Sequence, residues 1–291
     1  MANLKEIRNR ITSVSSTMQI TSAMKMVSAA KLKRAQDAIT QMKPYAEKLQ
    51  EILGNLSATL DLSENAYSEV RETKNVLIIG ITSNRGLCGG FNNNIFKKVS
   101  NLVNEEYKDA NPKVLCLGKK IKDLYKKTDN YYINDEVAAV EDIFADLSFE
   151  NSAVIAESAM NAFVAKEFDK VVVVYNSFIN AASQEVKAEQ LLPIIPTVNE
   201  NEQGAGDYIF EPGKSEIVED LIPKSLKVQL FKGLLDSNAS EHGARMTAMH
   251  KATDNADDLK RNLTLSYNKA RQAAITNEIL EIVGGAEALN G

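Results

Sequence analysis

Few residues in this chain have the types and spacing that chemistry demands. The strongest candidate is Ser83-Asn84-Arg85-Gly86-Leu87-Cys88-Gly89-Gly90-Phe91-Asn92. It follows a short apolar run and precedes a helical pattern, where glycine-rich turns often cradle phosphate on a helix N-terminus. Its glycines are spaced G-x-x-G-G rather than G-x-G-x-x-G. A ribose-binding acid would be sought about 20 residues on, at a strand end. The residues there, Asn104, Glu105 and Glu106, fall inside the next helical stretch. A tight structural turn is the better reading. Gly213-Lys214-Ser215 has the ending of a P-loop, but the earlier glycine that the pattern requires is Tyr208. Pro212 is adjacent and no strand precedes, so the segment reads as a helix start capped by Ser215.

His242 and His250 are the only histidines. They lack the H-E-x-x-H pattern and cysteine partners, which makes them a poor metal site and a poor acid–base pair. Cys88 and Cys116 form neither a disulfide framework nor a metal site, and they fit a reducing setting. No Ser–His–Asp arrangement can be argued from spacing. The sequence therefore predicts no catalytic residue, no cofactor and no metal.

The elements that would position these residues fall into three parts. Leu32, Ala35, Ile39, Met42, Ala46, Leu49, Leu53, Leu56 and Leu60 step by alternating threes and fours. That is a heptad seam, the mark of a coiled coil. The same lattice runs back through Met18, Val14, Ile11, Ile7 and Leu4. Between them it lands on Thr21, Lys25 and Ser28, while Ile20, Ala23, Met24, Met26, Val27, Ala29 and Ala30 flank it. The helix is thus apolar nearly all round for about two turns, as when a helix is enclosed on every side. Pro44 is expected to kink it or mark a break.

The last third mirrors the first. Leu235, Ala239, His242, Met246 and Met249, then Leu259, Leu263, Tyr267, Ala270 and Ala274, keep near-heptad steps, and Gly284-Gly285 is the expected stop. Neither helix can bury its seam alone, so the two are expected to pair antiparallel. Around Arg271-Gln272 the helix has few charges, and from Leu280 to Val283 it is nearly apolar around its circumference. That reads either as coiled-coil core or as a tip entering an apolar collar, with Arg271 and Gln272 supplying directional hydrogen bonds.

The middle alternates strands and helices. Strands are expected at Val76–Ile81, Val114–Leu117 and Val171–Tyr175, and helices at Asn93–Tyr107 and 151–168. This predicts a parallel α/β domain with right-handed crossovers. Residues 197–215 read as a loop into the last helix. The expected division is 1–62 N-terminal coiled-coil helix, 74–196 central Rossmann-like α/β domain and 214–291 C-terminal coiled-coil helix.

Charge and composition narrow the function classes. The chain has 291 residues, no Trp, six prolines and a net charge of −5, so its overall charge gives no argument for nucleic acid or an anionic membrane. Residues 1–34 nevertheless carry Lys5, Arg8, Arg10, Lys25, Lys31, Lys33 and Arg34 against Glu6 alone. This is either a solvated face or a surface for an acidic partner. No run approaches the roughly 18 apolar residues of a membrane span, and no secretory or organelle-targeting leader is expected.

Three separated blocks carry a family resemblance. They are Ala23-Met24-Lys25-Met26-Val27-Ser28-Ala29-Ala30-Lys31-Leu32, Arg85-Gly86-Leu87-Cys88-Gly89-Gly90-Phe91-Asn92, and the stretch from Ser240-Glu241-His242-Gly243-Ala244-Arg245-Met246 through Tyr267-Asn268-Lys269-Ala270-Arg271-Gln272-Ala273-Ala274-Ile275-Thr276 to Gly284. In this order they resemble the γ subunits of bacterial-type F-type ATP synthases over essentially the whole chain. The resemblance implies an asymmetric antiparallel coiled coil whose tip sits inside a ring of three α and three β subunits. It implies an α/β foot against the ε subunit and the c-ring, and a peripheral location at the cytoplasmic face of the bacterial inner membrane. Met24, Arg271 and Gln272 would then meet the β subunits, which hold the catalytic groups, and the chain itself would be a non-catalytic rotor. Two other readings compete: a nucleotide-binding α/β enzyme with a coiled-coil arm, and a nucleic-acid-binding coiled-coil protein. The latter is disfavoured because the basic residues do not extend along the arm and have no interleaved aromatics.

Overall fold

The computed structural model of the chain describes residues 4–57, 65–140, 142–194 and 214–290. They form two compact units, one from residues 29–245 and one from residues 1–28 with 246–291. The expected loop at 197–215 and the cap by Ser215 lie outside the described residues or side chains.

The larger unit is built on a five-stranded sheet of order β3-β2-β1-β4-β5. Strand β1 is Asn75–Ile81, β2 Asn111–Leu117, β3 Tyr131–Tyr132, β4 Lys170–Phe178 and β5 Gln184–Leu192. The first four are parallel, and β5 returns antiparallel beside β4. Strand β1 reads as an unbroken apolar run because both its faces are covered. Leu77, Ile79 and Ile81 join one core with Phe163, Leu226, Leu230 and Leu234, whereas Val76 and Ile78 join another with Ile95, Val99 and Ile121. Helix α2 (Phe91–Asn101, ending in a π turn at Leu102–Glu106) and α3 (Lys119–Tyr125) supply the second core. Helix α5 (Phe149–Val164) and the start of α6 (Lys214–Asn290) supply the first.

The expected strands and helices of this domain are present. Four elements were not anticipated: α3, the two-residue β3, α4 (Asp135–Ala139) and β5. Strand β5 was hidden because it is polar, with Glu185, Lys187 and Glu189 lying along its paired stretch. Two glycines mark close approaches. A Cβ on Gly118, which has φ +104°, would stand 2.1 Å from the Thr82 carbonyl oxygen. A Cβ on Gly233 would meet the Tyr175 ring at 3.5 Å, which shows how closely α6 lies on β4.

Helix α1 is Leu4–Ser57, and it runs through Pro44 without a break. Its buried positions follow the expected lattice even where that lattice is polar. Ile7, Thr21, Ser28, Leu32, Ala35 and Leu49 are buried, and Lys25 is half-buried. The side chains of Leu53 and Leu56, and residue 60, lie outside what is described.

In the smaller unit the helices run antiparallel. The Thr21 and Thr253 hydroxyls are 2.8 Å apart, and a groove between the helices is lined by Arg10 and Val14 together with Leu259 and Leu263. The expected register of α6 needs one correction. Ala256, Lys260, Leu263, Tyr267 and Ala270 carry the protected side, whereas Leu259 is half-exposed and Ala274 is exposed. The heptad steps restart after Met249 through Ala256, and a polar Lys260 takes the place assigned to Leu259. The expected stop at Gly284-Gly285 is also corrected, because α6 continues through both to Asn290. A glycine ends a helix by adopting a left-handed conformation, and within a helix it is only a penalty of about 1 kcal/mol.

Candidate functional site

Two places gather the residues singled out above. The first is the glycine-rich loop. Its ends are tied by Asn92, which accepts from the Ser83 backbone N–H (3.0 Å) and donates to the Ser83 hydroxyl (2.8 Å) and the Cys88 sulfur (3.2 Å). Ser83 Oγ in turn donates to the Arg85 carbonyl at 2.6 Å. Leu87 and Gly89 take positive φ. This geometry turns the carbonyls of Arg85 and Gly86 toward Arg245 of α6. Arg245 Nη2 donates to both at 3.1 and 3.2 Å, and its Nη1 pairs with Glu241 Oε1 at 2.6 Å.

The location matters. β1 and β4 are neighbours where the strand order reverses, and in open α/β sheets that crevice takes the ligand. Here the chain fills it with its own helix. Asn176, at the end of β4, donates to the Phe91 carbonyl, and Ser240 of α6 donates to the Asn176 carbonyl. Gly243 admits the chain at Ala181, where a Cβ would stand 3.3 Å from the Ala181 backbone. A phosphate needs converging N–H groups, but the loop offers carbonyl oxygens to a guanidinium. The tight-turn reading of the loop is therefore the one that the geometry supports.

Burial sets the charges at this joint. Desolvation raises the Glu241 carboxyl above its usual range, and Arg245 opposes that shift. Desolvation, then Arg245 and Lys31, lowers His242 to about 4, so its ring is neutral at pH 7. His250 sits exposed beside Asp254 at 3.4 Å, apart from His242 in role and surroundings. Among the described residues no group of His, Cys, Asp or Glu could hold a metal ion. The roles of Arg245, Glu241, Asn176 and Ser240 were missed from sequence. The available signal was the (i, i+4) Glu241–Arg245 pair in a helix otherwise rich in small residues.

The second place is in the helical unit. Thr21, Lys25 and Ser28 turn toward the seam, so the apolar residues beside them turn outward. Ile20 is 60 %, Met26 65 % and Val27 58 % exposed, and Met24 is half-buried. On α6 every residue from Arg271 to Glu287 is exposed, including Ile275, Ile279, Leu280, Ile282 and Val283. Arg271 and Gln272 are thus the first residues past the protected side, and no contact among the described residues brings them to Met24. No described helix is long and apolar enough to cross a membrane.

The chain thus combines a mostly parallel α/β sheet packed against the start of α6 with a second unit in which two long helices run antiparallel. Solved structures share this fold. A chain in the Euglena gracilis mitochondrial ATP synthase (OSCP/F1/c-ring, rotational state 3) aligns with a TM-score of 0.67 at 22 % identity, covering 98 % of this chain and 94 % of that one. A chain of the Tetrahymena thermophila mitochondrial ATP synthase central stalk and c-ring aligns with a TM-score of 0.56 at 25 % identity, covering 80 % and 99 %. The family described as "ATP synthase" matches residues 3–289. The ATP synthase gamma chain of Flavobacterium johnsoniae is 62 % identical and that of Cytophaga hutchinsonii 53 %, each over the full length of both chains. The chain belongs to the ATP synthase gamma chain family.

Proposed function

We propose that this chain is the central rotor shaft of the F1 sector of a bacterial ATP synthase, coupling ion flow through the membrane sector to ATP synthesis by rotation. One copy would stand inside three α and three β subunits, with its foot on ε and the c-ring. It would lie at the cytoplasmic face of the inner membrane without entering the bilayer. The proposed division is a helical shaft from 1–62 and 214–291 and a foot domain from 74–196. Full-length likeness to gamma chains supports the assignment.

The observation that carries the mechanism is the inside-out band on α1. Polar Thr21, Lys25 and Ser28 face the seam while Ile20, Met26 and Val27 face outward. Exposed apolar patches of this kind mark binding surfaces. A single shaft inside a threefold ring cannot touch its three neighbours alike. It biases each β subunit toward a different conformation through differential contact energy. Apolar contact without fixed hydrogen bonds allows the shaft to turn. Met24, Arg271 and Gln272 are proposed to meet β, with Arg271 giving directional contact. The chain supplies no catalytic group.

The assignment is tested by co-expressing the chain with its host's α and β subunits, then recording native mass spectra and ATPase activity. A 3:3:1 assembly with activity is expected. A free chain, or one that hydrolyses nucleotide alone, would overturn it. In the full complex, Arg271→Ala should lower the number of ions pumped per ATP hydrolysed while leaving the chain folded. An unchanged ratio would remove Arg271 from the mechanism.

A further inference from the structure

The α2–α3 face of the sheet domain carries a charge pattern that the rotor reading does not use. Between residues 97 and 127 the chain has nine lysines against four carboxylates, although the whole chain is at −5. On α2 and α3 and just beyond them stand Lys97, Lys98, Lys119, Lys120, Lys122, Lys126 and Lys127. The two helices are neighbours, with Ser100 Oγ and Tyr125 OH 3.4 Å apart, so these lysines share one layer. Lys119 is held by Asp142 and Lys126 by Asp123. Lys97, Lys98, Lys120 and Lys127 join none of the described ion pairs. Leu124 stands 48 % exposed in their midst.

The type of cation discriminates between partners. Protein–protein interfaces enrich arginine and deplete lysine, because a guanidinium fork fixes geometry. This chain has no arginine between Arg85 and Arg245. Lysine is a hydrated point charge on a flexible stem, suited to phosphates that have no fixed arrangement. Its stem reaches a charged surface while an apolar neighbour such as Leu124 dips below the headgroups.

We propose that the α2–α3 lysine face is a docking surface for anionic phospholipid headgroups. The proposal rests on the rotor assignment, which places this domain near the membrane. A fluid leaflet suits a turning domain, because lipids exchange freely and offer charge without a bond that must be broken at each step. Each lysine close to an anionic leaflet strengthens binding roughly fivefold before screening, and the attraction falls off over about 8 Å at physiological ionic strength.

The test uses purified F1 complex and two vesicle compositions, pure phosphatidylcholine and phosphatidylcholine with phosphatidylglycerol, at low and physiological salt. The variant is K97Q/K98Q/K120Q/K127Q, which removes four cations that join none of the described ion pairs. The expected result is salt-sensitive flotation of wild-type F1 with the anionic vesicles alone, weakened at least tenfold in the variant. Absence of wild-type flotation, or a variant that floats equally well, would overturn the proposal. A variant that floats normally but loses a subunit of the complex would overturn it in favour of an acidic protein partner. Subunit stoichiometry and ATPase activity on the same samples separate the two levels. An intact, active F1 that ignores the vesicles refutes the lipid surface alone, whereas failure to assemble refutes the rotor assignment.

Discussion

Removing the Arg245 side chain tests the joint between helix and sheet. Arg245 and Glu241 are each 8 % exposed, and the guanidinium also satisfies the carbonyls of Arg85 and Gly86. Arg245→Ala therefore leaves a buried carboxylate without its cation and two carbonyls without donors. Breaking a buried pair from one side costs about 3–5 kcal/mol. The charge part of that loss has a definite pH sign. Burial already raises the Glu241 pKa, and the variant raises it further by deleting the opposing cation. An acid whose folded pKa is raised loses stability as pH rises from its unfolded value toward its folded one. The deficit relative to wild type should thus be largest at pH 8 and shrink as pH falls toward 4.5. Urea unfolding of the full-length chain at pH 8 and pH 5 measures it. The double variant Glu241→Gln/Arg245→Met should recover part of the loss, with the two carbonyls accounting for about 1–3 kcal/mol that stays lost. A deficit below about 1 kcal/mol at pH 8, or one independent of pH, would refute the claim that this pair closes the crevice.

Three other outcomes follow from single features. Gly118→Ala should destabilise the chain by more than about 2 kcal/mol in the same unfolding assay, because the residue has φ +104° and a Cβ would overlap the Thr82 carbonyl. The His242 ring should titrate near pH 4 by NMR. Its depressed pKa makes it stabilising above pH 6.5, a contribution lost as pH falls toward 4, and a midpoint near 6.5 would mean that the ring is solvated. Truncation after Ala270 should leave the melting temperature of the isolated chain nearly unchanged, since residues 271–287 are exposed throughout. A drop of more than a few degrees would reveal contacts that this structure lacks.

Local periodicity made much of this architecture legible. The α1 seam could be followed through Thr21, Lys25 and Ser28 because a heptad lattice is geometric and does not depend on each residue being apolar. Strand β1 was equally plain, being buried on both faces. What failed was information held by distant parts of the chain. Leu259 looked like a seam residue, but the partner helix, not hydropathy, decides which face of α6 is covered. Strand β5 is recognisable only beside β4, since an edge strand needs little apolar character. The glycine loop had the right neighbours for phosphate, and the residue that fills its crevice lies some 159 positions away in sequence. The assignment of Met24, Arg271 and Gln272 to a contact with β came from resemblance alone. The Arg271 and Gln272 side chains are both exposed, and the one side-chain hydrogen bond seen at this pair among the described residues is from the Thr276 hydroxyl to the Gln272 carbonyl of its own helix.

The Thr21–Thr253 contact has a mechanical consequence. Each hydroxyl also reaches a carbonyl of its own helix, Met18 for Thr21 and Met249 for Thr253. In the observed alignment both are satisfied without water. Sliding one helix along the other by a heptad would set Thr21 against Met246 in one direction and Lys260 in the other, so neither shift restores the hydroxyl pair, and a polar residue in a coiled-coil seam selects alignment in this way. A purely leucine seam would bind at least as firmly but would tolerate displacement by a whole heptad. The hydroxyl pair acts as a key in a keyway. It adds little to holding strength and removes one freedom, the axial creep of one helix past the other under repeated twisting.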